Sequence, residues 1–500
     1  MTPTAVMAAA IVVPTVGAVG VVAARRHPGA RDAITLVASA SLAVLVASLV
    51  PAVLRGDEPR LRVLELAAGI ELSFRADPLG LLFALLASFL WVATSVYAIG
   101  YLRGNAERHQ TRFHASVALC LSTVMGVAFA ANLLTFFLFF ELLTVATYPL
   151  VTHKATPEAR RAGRRYLAYL LGGGAALLLA VGTIQWATGS NEFVPGGFVA
   201  EGMSRSTLAA VVALCAVGFG SKAAVLPLHG WLPAAMVAPT PVSALLHAVA
   251  VVKAGVFGVA RTVGYVVGPE ALGDLGVTAL VSAAAALTIV VASVVALFQD
   301  HLKRRLAYST IAHLSYIVLG LTLLSASGWS GGLLHMVNHG VLKITLFFCA
   351  GALYVHARRD RVSQLDGIGR RMPFTMGAFA LAALGLVGLP PMGGFMSKWT
   401  LVLGGAEADR PVAAAVMLIG GLLTASYLFP IVARAFLRPV PRDLSACSAS
   451  PAAPAGEASA WMVAPLVVTA GLALALGLTD ALGLLELIDG STAAVVGEGS

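Results

Sequence analysis

The sequence predicts an all-α polytopic membrane protein with about fourteen transmembrane helices. Three observations point to this class. Of 500 residues, 58% are hydrophobic and only 11% charged, with a mean hydropathy of +0.88. Soluble domains carry about 25% charged residues, so the bilayer must solvate most of this surface. Apolar runs of spanning length follow one another along the whole chain. The Lys and Arg residues between them alternate in density, as the loops of a membrane protein do.

The spans are expected near 3–24, 33–54, 79–101, 113–130, 132–152, 163–186, 207–228, 242–264, 275–298, 305–324, 329–354, 373–402, 411–433 and 459–479. The first is read as an uncleaved helix, because Arg25, Arg26 and His27 follow its apolar run instead of preceding it. LRVLELA and GIELSFR, between the second and third spans, read as a short extracytoplasmic hairpin. The seventh span is interrupted near its end, where Pro227, Pro233, Pro239 and Pro241 crowd together. The twelfth is interrupted by Pro390, Pro391, Gly393 and Gly394. Proline removes a backbone donor and clashes within a helix, and such breaks at membrane depth persist only where protein or a wet cavity satisfies the backbone. Residues 440–458 read as a flexible loop, and the chain after 480 as a short, mildly acidic tail.

Orientation follows from the basic residues. With both termini extracytoplasmic, 22 of the 33 Lys and Arg fall in cytoplasmic loops and 7 outside, among them Arg75 and Arg261. This split accounts for the net charge of +9 as a membrane-surface effect, with no nucleic-acid partner needed. Cys120, Cys215, Cys349 and Cys447 have neither metal-ligand nor redox spacing and are read as small buried side chains.

The four remaining lysines, Lys222, Lys253, Lys343 and Lys398, lie in spans. Each costs about 2.5 to 3.5 kcal/mol at a helix centre. Lys398, close to a helix break, is the one best placed to snorkel. One carboxylate, Glu141, lies mid-span and is the natural counter-ion for one of them. Opposite charge favours the ionised forms of such a pair while desolvation favours the neutral ones, so a small movement can switch it. A static ion pair that only orients helices fits poorly with one carboxylate among four lysines and several histidines.

His335, His339 and Lys343 recur at i, i+4 and i+8 and share one helix face. His247 and Lys253 are read as lying six residues apart on one helix. Histidine titrates near neutrality and passes protons in either direction. A zinc site at His335 and His339 is disfavoured, because no HExxH glutamate or thiolate is nearby. His313 and His229 carry less weight, and His229 is read as fixing the loop at the PLHGWLP break. Together these groups describe titratable side chains strung across successive helices, as a proton path requires.

Lys222 and Lys398 each lie by a broken helix, five spans apart. This suggests two inverted five-helix repeats, spans 4–8 and 9–13, an arrangement typical of secondary transporters. Four regions follow: an N-terminal three-helix region (1–112), the first repeat (113–264), the second repeat (265–438), and a loop, final helix and tail (439–500).

Several motifs resemble the proton-conducting antiporter-like subunits, the family of the large Mrp-type Na⁺(K⁺)/H⁺ antiporter subunits, the L, M and N subunits of NADH–quinone oxidoreductase (complex I), and related membrane hydrogenases. The longest is GFGSKAAVLPLHGWLPAAMVAPTPVSALLHAVAVVKAGVFGVAR at 218–261. FFELLTVATYPLVTHK, HLKRRLAYSTIAHLSYIVLG, NHGVLKITLFFCAG and GLVGLPPMGGFMSKW match in order, and the resemblance spans roughly 75–435.

The resemblance implies that Glu141 and Lys222 are the family's fifth-helix glutamate and seventh-helix lysine, and Lys253 its eighth-helix relay lysine. His335 and His339 are similar to the histidines linking two half-channels, and Lys398 to the terminal twelfth-helix lysine. Lysine at 398 argues against an M-type subunit. The short sequence after the fourteenth span argues against the L type, and TYPLVTHK looks most like the D-type member of the Mrp antiporters. The implied function is a proton-translocating subunit of a multisubunit Na⁺ or K⁺/H⁺ antiporter in the cell membrane. The alternative is an N- or M-like proton-pumping subunit of NADH–quinone oxidoreductase or a related membrane hydrogenase, whose redox chemistry belongs to partner subunits. No cofactor or metal is implied for this chain.

Overall fold

The structure, a computed structural model, describes residues 1–67, 70–439, 456–480 and 483–497. Twelve of its helices are long and apolar enough to cross a membrane. In chain order the principal helices are α1 (Pro3–Ala23), α2 (Pro28–Ala47), α3 (Pro78–Gly104), α4 (Gln110–Ala128), α5 (Leu133–Val151), α6 (Pro157–Thr188) and α7 (Arg205–Ala223). They continue with α8 (Thr240–Ala248), α9 (Val251–Arg261), α10 (Gly276–Leu297), α11 (Leu302–Leu321), α12 (Ala326–Ala357), α13 (Pro373–Val387), α14 (Gly393–Glu407), α15 (Pro411–Leu437), α16 (Ala460–Leu478) and α17 (Leu484–Val496). Beyond the twelve, the tenth expected span is α11, which opens on Lys303, Arg304 and Arg305, and the twelfth is the broken pair α13 and α14.

Local chemistry sets the helix starts that matter. The Asn132 side chain accepts from Thr135 N at 2.7 Å and begins α5. Ser325 accepts from Gly328 N at 3.2 Å and begins α12. Such caps satisfy donors that have no partner within the helix. The expected hairpin forms as antiparallel strands β1 (Arg60–Ala67) and β2 (Ile70–Arg75). It packs on the start of α5, where Asn132 Nδ2 donates to Glu71 O at 2.8 Å.

Both expected breaks are present, and protein groups satisfy them. Helix α7 stops at Ala224, which has a left-handed backbone (φ 56°). Beyond it, Trp231 Nε1 donates to Ser221 O at 2.8 Å and Leu226 N to Thr288 Oγ1 at 3.1 Å. Helix α13 stops at Gly388 (φ 95°), and Asn338 Nδ2 donates to Gly393 O at 2.9 Å where α14 begins.

Two expectations are corrected. His247 and Lys253 do not share one continuous helix: the backbone breaks at Val249 and Ala250, with His247 on α8 and Lys253 on α9. No proline marks this break. Gly340 of α12 lies against it, close enough that an added Cβ would sit 3.1 Å from Ala248 O. The chain after 480 is not only a tail. Residues Leu484–Val496 form α17, which docks on the α12 start through Trp329 Nε1–Ser491 Oγ (3.3 Å) and Ser330 Oγ–Thr492 Oγ1 (2.8 Å).

Residues Thr240–Val267 are buried throughout, and α3, α11 and α12 nearly so, forming the centre of the bundle. Helices α1, α2, α10, α15 and α16 keep broad apolar faces outward. Cys120, Cys215 and Cys349 are buried free thiols. Cys447 and most of the expected 440–458 loop lie outside the described residues.

Candidate functional site

Glu141 stands on α5, and Lys222 reaches it from the last turn of α7. Lys222 is fully buried, and its Nζ lies 3.3 Å from Glu141 Oε1. The ammonium also donates to Phe140 O and sits 3.3 Å from the Phe140 ring centroid. The carbonyl end of α7 further favours a cation there. Glu141 Oε2 has no hydrogen-bond partner among the described residues. Glycines on α6 make room for the pair. A Cβ at Gly174 would lie 2.6 Å from Glu141 Cδ, and one at Gly173 would collide with Ser221 Oγ.

Lys253 and His339 form the second pair, with Nζ 2.8 Å from Nδ1 and both residues fully buried. His313 stacks on His339 with ring centroids 5.6 Å apart.

The third group is a continuous hydrogen-bonded chain. Lys343 Nζ donates to Ser309 Oγ at 2.6 Å and to Leu306 O at 3.2 Å. Ser309 Oγ is 2.7 Å from Tyr427 OH, which donates to Thr424 Oγ1 at 3.2 Å. Thr424 Oγ1 is 3.3 Å from His313 Nε2, and His313 Nδ1 is 3.0 Å from His335 Nε2. His335 Nδ1 then meets Ser397 Oγ at 3.0 Å. Every residue in this chain is buried.

Lys398, half-buried on α14, donates to Val387 O across the break at 3.0 Å and lies 5.1 Å from the Tyr316 ring. Tyr316 stacks on His313 at 5.3 Å. His247 is buried against Phe347, ring centroids 4.6 Å apart, and neither of its ring nitrogens is bonded to a described residue. Among the described residues, no hydrogen bond joins Glu141 and Lys222 to Lys253 and His339, and none joins Lys343 to Lys398.

Two cavities open on the basic face. One, of about 510 Å³, is bordered by Arg161, Arg165, His229 and Arg304. The other, of about 410 Å³, is bordered by Lys154, Tyr101, Thr240 and Lys303. Pro233 and Val237, just beyond the break after Lys222, border both. His229 thus lines a cavity wall, and its carbonyl accepts from Leu232 N at 3.1 Å within the turn it was expected to fix.

Residues 130–424, more than half of the chain, match the family described as NADH:quinone oxidoreductase/Mrp antiporter, TM. The chain belongs to this family. It is 37% identical over 421 residues to NADH-quinone oxidoreductase subunit N of Desulforudis audaxviator, covering 82% of each chain. It is 32% identical over 403 residues to NAD(P)H-quinone oxidoreductase chain 5 of a Picosynechococcus species, where it spans 58% of the relative's length. The fold matches a chain in the Mrp complex structure from a Dietzia species, with TM-score 0.86 and 24% identity over 99% of this chain and 98% of that one. It also matches a chain of the archaeal membrane-bound sulfane sulfur reductase, with TM-score 0.83 and 22% identity over 98% of both chains.

Within this antiporter-like fold, sequence reasoning missed several polar groups. His313, given little weight beforehand, is the junction of the hydrogen-bonded chain. Ser309, Thr424, Tyr427 and Ser397 were not singled out, because isolated hydroxyls in apolar helices carry no spacing signal. Arg261, counted as an outer-loop residue, is fully buried at the end of α9. Its guanidinium binds Asp77 at 2.5 and 2.8 Å. Asp77 in turn accepts from Gly80 N at 2.7 Å and begins α3.

Proposed function

We propose that this chain is the proton-translocating membrane subunit of a hetero-oligomeric monovalent-cation (Na⁺ or K⁺)/H⁺ antiporter. The observation that carries the reading is the succession of proton-binding groups, buried except for the partly exposed Glu141: Glu141–Lys222, Lys253–His339, and the chain from Lys343 to His335. Amines and imidazoles exchange protons but do not cage alkali cations, which prefer oxygen ligands. In this reading the chain carries the proton side of the exchange and partner subunits complete the complex.

In this scheme Lys222 is the switch and Glu141 sets its charge. Protons pass by way of Lys253, His339 and His335 towards Lys343 and Lys398. His247, on the fully buried segment between the basic-face cavity and the bundle centre, is assigned to the inlet. In this reading the basic face is cytoplasmic and both termini are extracytoplasmic, which the Lys and Arg distribution supports. The two working halves are residues 113–264 and 265–438.

A second reading is favoured by the 37% identical subunit N relative. There the same path is driven by a quinone oxidoreductase instead of a cation gradient. The test is proton movement in proteoliposomes holding the purified complex, driven in turn by a Na⁺ gradient, a K⁺ gradient, and NADH with quinone. Proton flux driven by Na⁺ or K⁺ supports the antiporter. Flux driven only by NADH supports the second reading. No flux under any of the three overturns the translocation reading.

A further inference from the structure

We infer that Thr424 is a hydroxyl switch that opens and closes the proton path between Lys343 and the histidine pair His313–His335. This rests on the proton-translocation reading and deepens it.

Thr424 has one hydroxyl hydrogen and two acceptors within reach. Gly420 O lies at 2.7 Å and His313 Nε2 at 3.3 Å. The same oxygen receives the Tyr427 phenol hydrogen at 3.2 Å. When Thr424 donates to Gly420 O, its contact with His313 requires the histidine to carry hydrogen on Nε2 and donate. No proton arriving from Tyr427 can then enter the ring. When the hydroxyl turns to His313, Nε2 must be bare and the ring hydrogen sits on Nδ1, aimed at His335 Nε2 at 3.0 Å. A histidine tautomer is fixed by the partner of the other ring nitrogen, so the Thr424 orientation and the His313 tautomer change together. The shorter contact to Gly420 O makes the closed arrangement the resting one.

Written for the reverse direction of this path, from Lys343 back towards His335, the transfer balances without solvent, and the forward direction retraces the same steps. An N–H bond of Lys343 breaks and a proton joins Ser309 Oγ, which releases its own hydrogen to Tyr427. The phenol releases one to Thr424, and Thr424 releases one to His313 Nε2. His313 gives its Nδ1 hydrogen to His335 Nε2. Lys343 ends neutral, His335 ends as an imidazolium donating from Nδ1 to Ser397, and each hydroxyl keeps one hydrogen. His313 is left with hydrogen on Nε2, so each passing proton closes the path behind it. The next must wait for His313 and the hydroxyls to turn back.

The test measures proton flux in proteoliposomes of the assembled complex. Thr424→Val keeps the branched shape and removes the hydroxyl, and Tyr427→Phe removes only the phenol oxygen. Each is expected to lower flux by on the order of 10²-fold, the usual worth of a positioned proton-transfer group. Thr424→Ser should restore what Thr424→Val loses, which a packing role for the methyl would not do. Wild-type flux in Thr424→Val, with Lys253→Ala inactive, overturns the switch and leaves the translocation reading standing. Wild-type flux in Lys253→Ala as well overturns the switch and removes Lys253 from the path, whereas no flux in the unsubstituted complex overturns the translocation reading. A second measurement reads the unsubstituted protein directly and does not depend on flux. The ¹⁵N resonances of His313, assigned by their loss in His313→Gln, should show hydrogen on Nε2 at rest; a resting Nδ1 hydrogen overturns the switch.

Discussion

Lys253 Nζ lies 2.8 Å from His339 Nδ1, and this contact joins α9 to α12. An amine and an imidazole can each hold a proton, so a transfer between the two needs no large movement of either helix. Lys253 stands on the first turn of α9, just past the break at Val249–Ala250. Lys253→Met fills similar volume without a proton carrier. Flux in proteoliposomes should fall by on the order of 10²-fold. Melting temperature in detergent should hold or rise, since apolar groups replacing buried charge are often neutral or stabilising. Wild-type flux would remove Lys253 from the path.

The glycines facing Glu141 make a sharper test of the first pair than deleting the carboxylate. A methyl at Gly174 would push the carboxylate away from Lys222 while meeting only the end of a flexible side chain. A displacement of about 1 Å can cost up to about 10²-fold in a positioned reaction, so Gly174→Ala should lower flux while the complex still assembles. Gly172→Ala, with nothing within 4 Å, should leave flux unchanged. Equal flux in the two variants would mean that carboxylate position does not matter.

The spans, both proline-marked breaks and the Glu141–Lys222 pair were legible because apolar length, proline and buried charge are strong signals in lipid. The eighth-helix break was not. It falls in HAVAVVK, where no residue forbids a helix, and close approach by Gly340 of α12 accompanies it. Nor was the joining of His313 to Lys343, which depends on hydroxyls from α11 and α15 that meet only after folding. The two lysines used to suggest a repeat prove less alike than they looked: Lys222 precedes its break, whereas Lys398 follows the other. Arg261 was misplaced because a basic residue at a span end reads as a loop charge, and its partner Asp77 is 184 residues away in sequence.

That buried pair should be a structural necessity. Asp77 begins α3 and holds Arg261 at the end of α9, next to the Tyr265 ring at 4.7 Å. Asp77→Asn leaves a guanidinium in the interior without its counter-charge, at a cost of about 3–5 kcal/mol. The expected result is a marked fall in melting temperature. Asp77→Leu combined with Arg261→Met should recover part of it, because no buried charge then remains. Equal loss in the single and double variants would show that shape, not charge pairing, holds this corner.

Lys398 ties the two parts of the twelfth span together, donating to the Val387 carbonyl left free by the break. Gly388, at φ 95°, makes that geometry possible, and a Cβ there would lie 2.8 Å from Lys398 Cδ. Gly388→Ala therefore carries two costs. The left-handed backbone adds about 1–2 kcal/mol, and the lysine stem must move off the carbonyl. Lys398→Met removes the proton-binding group and the tie but leaves the backbone unstrained. If Lys398 acts as a proton-binding group, both variants should lose flux, and only Gly388→Ala should also melt at a distinctly lower temperature. If it acts only as a tie, Lys398→Met should lose stability and keep its flux. Measuring both quantities on both variants separates the two roles.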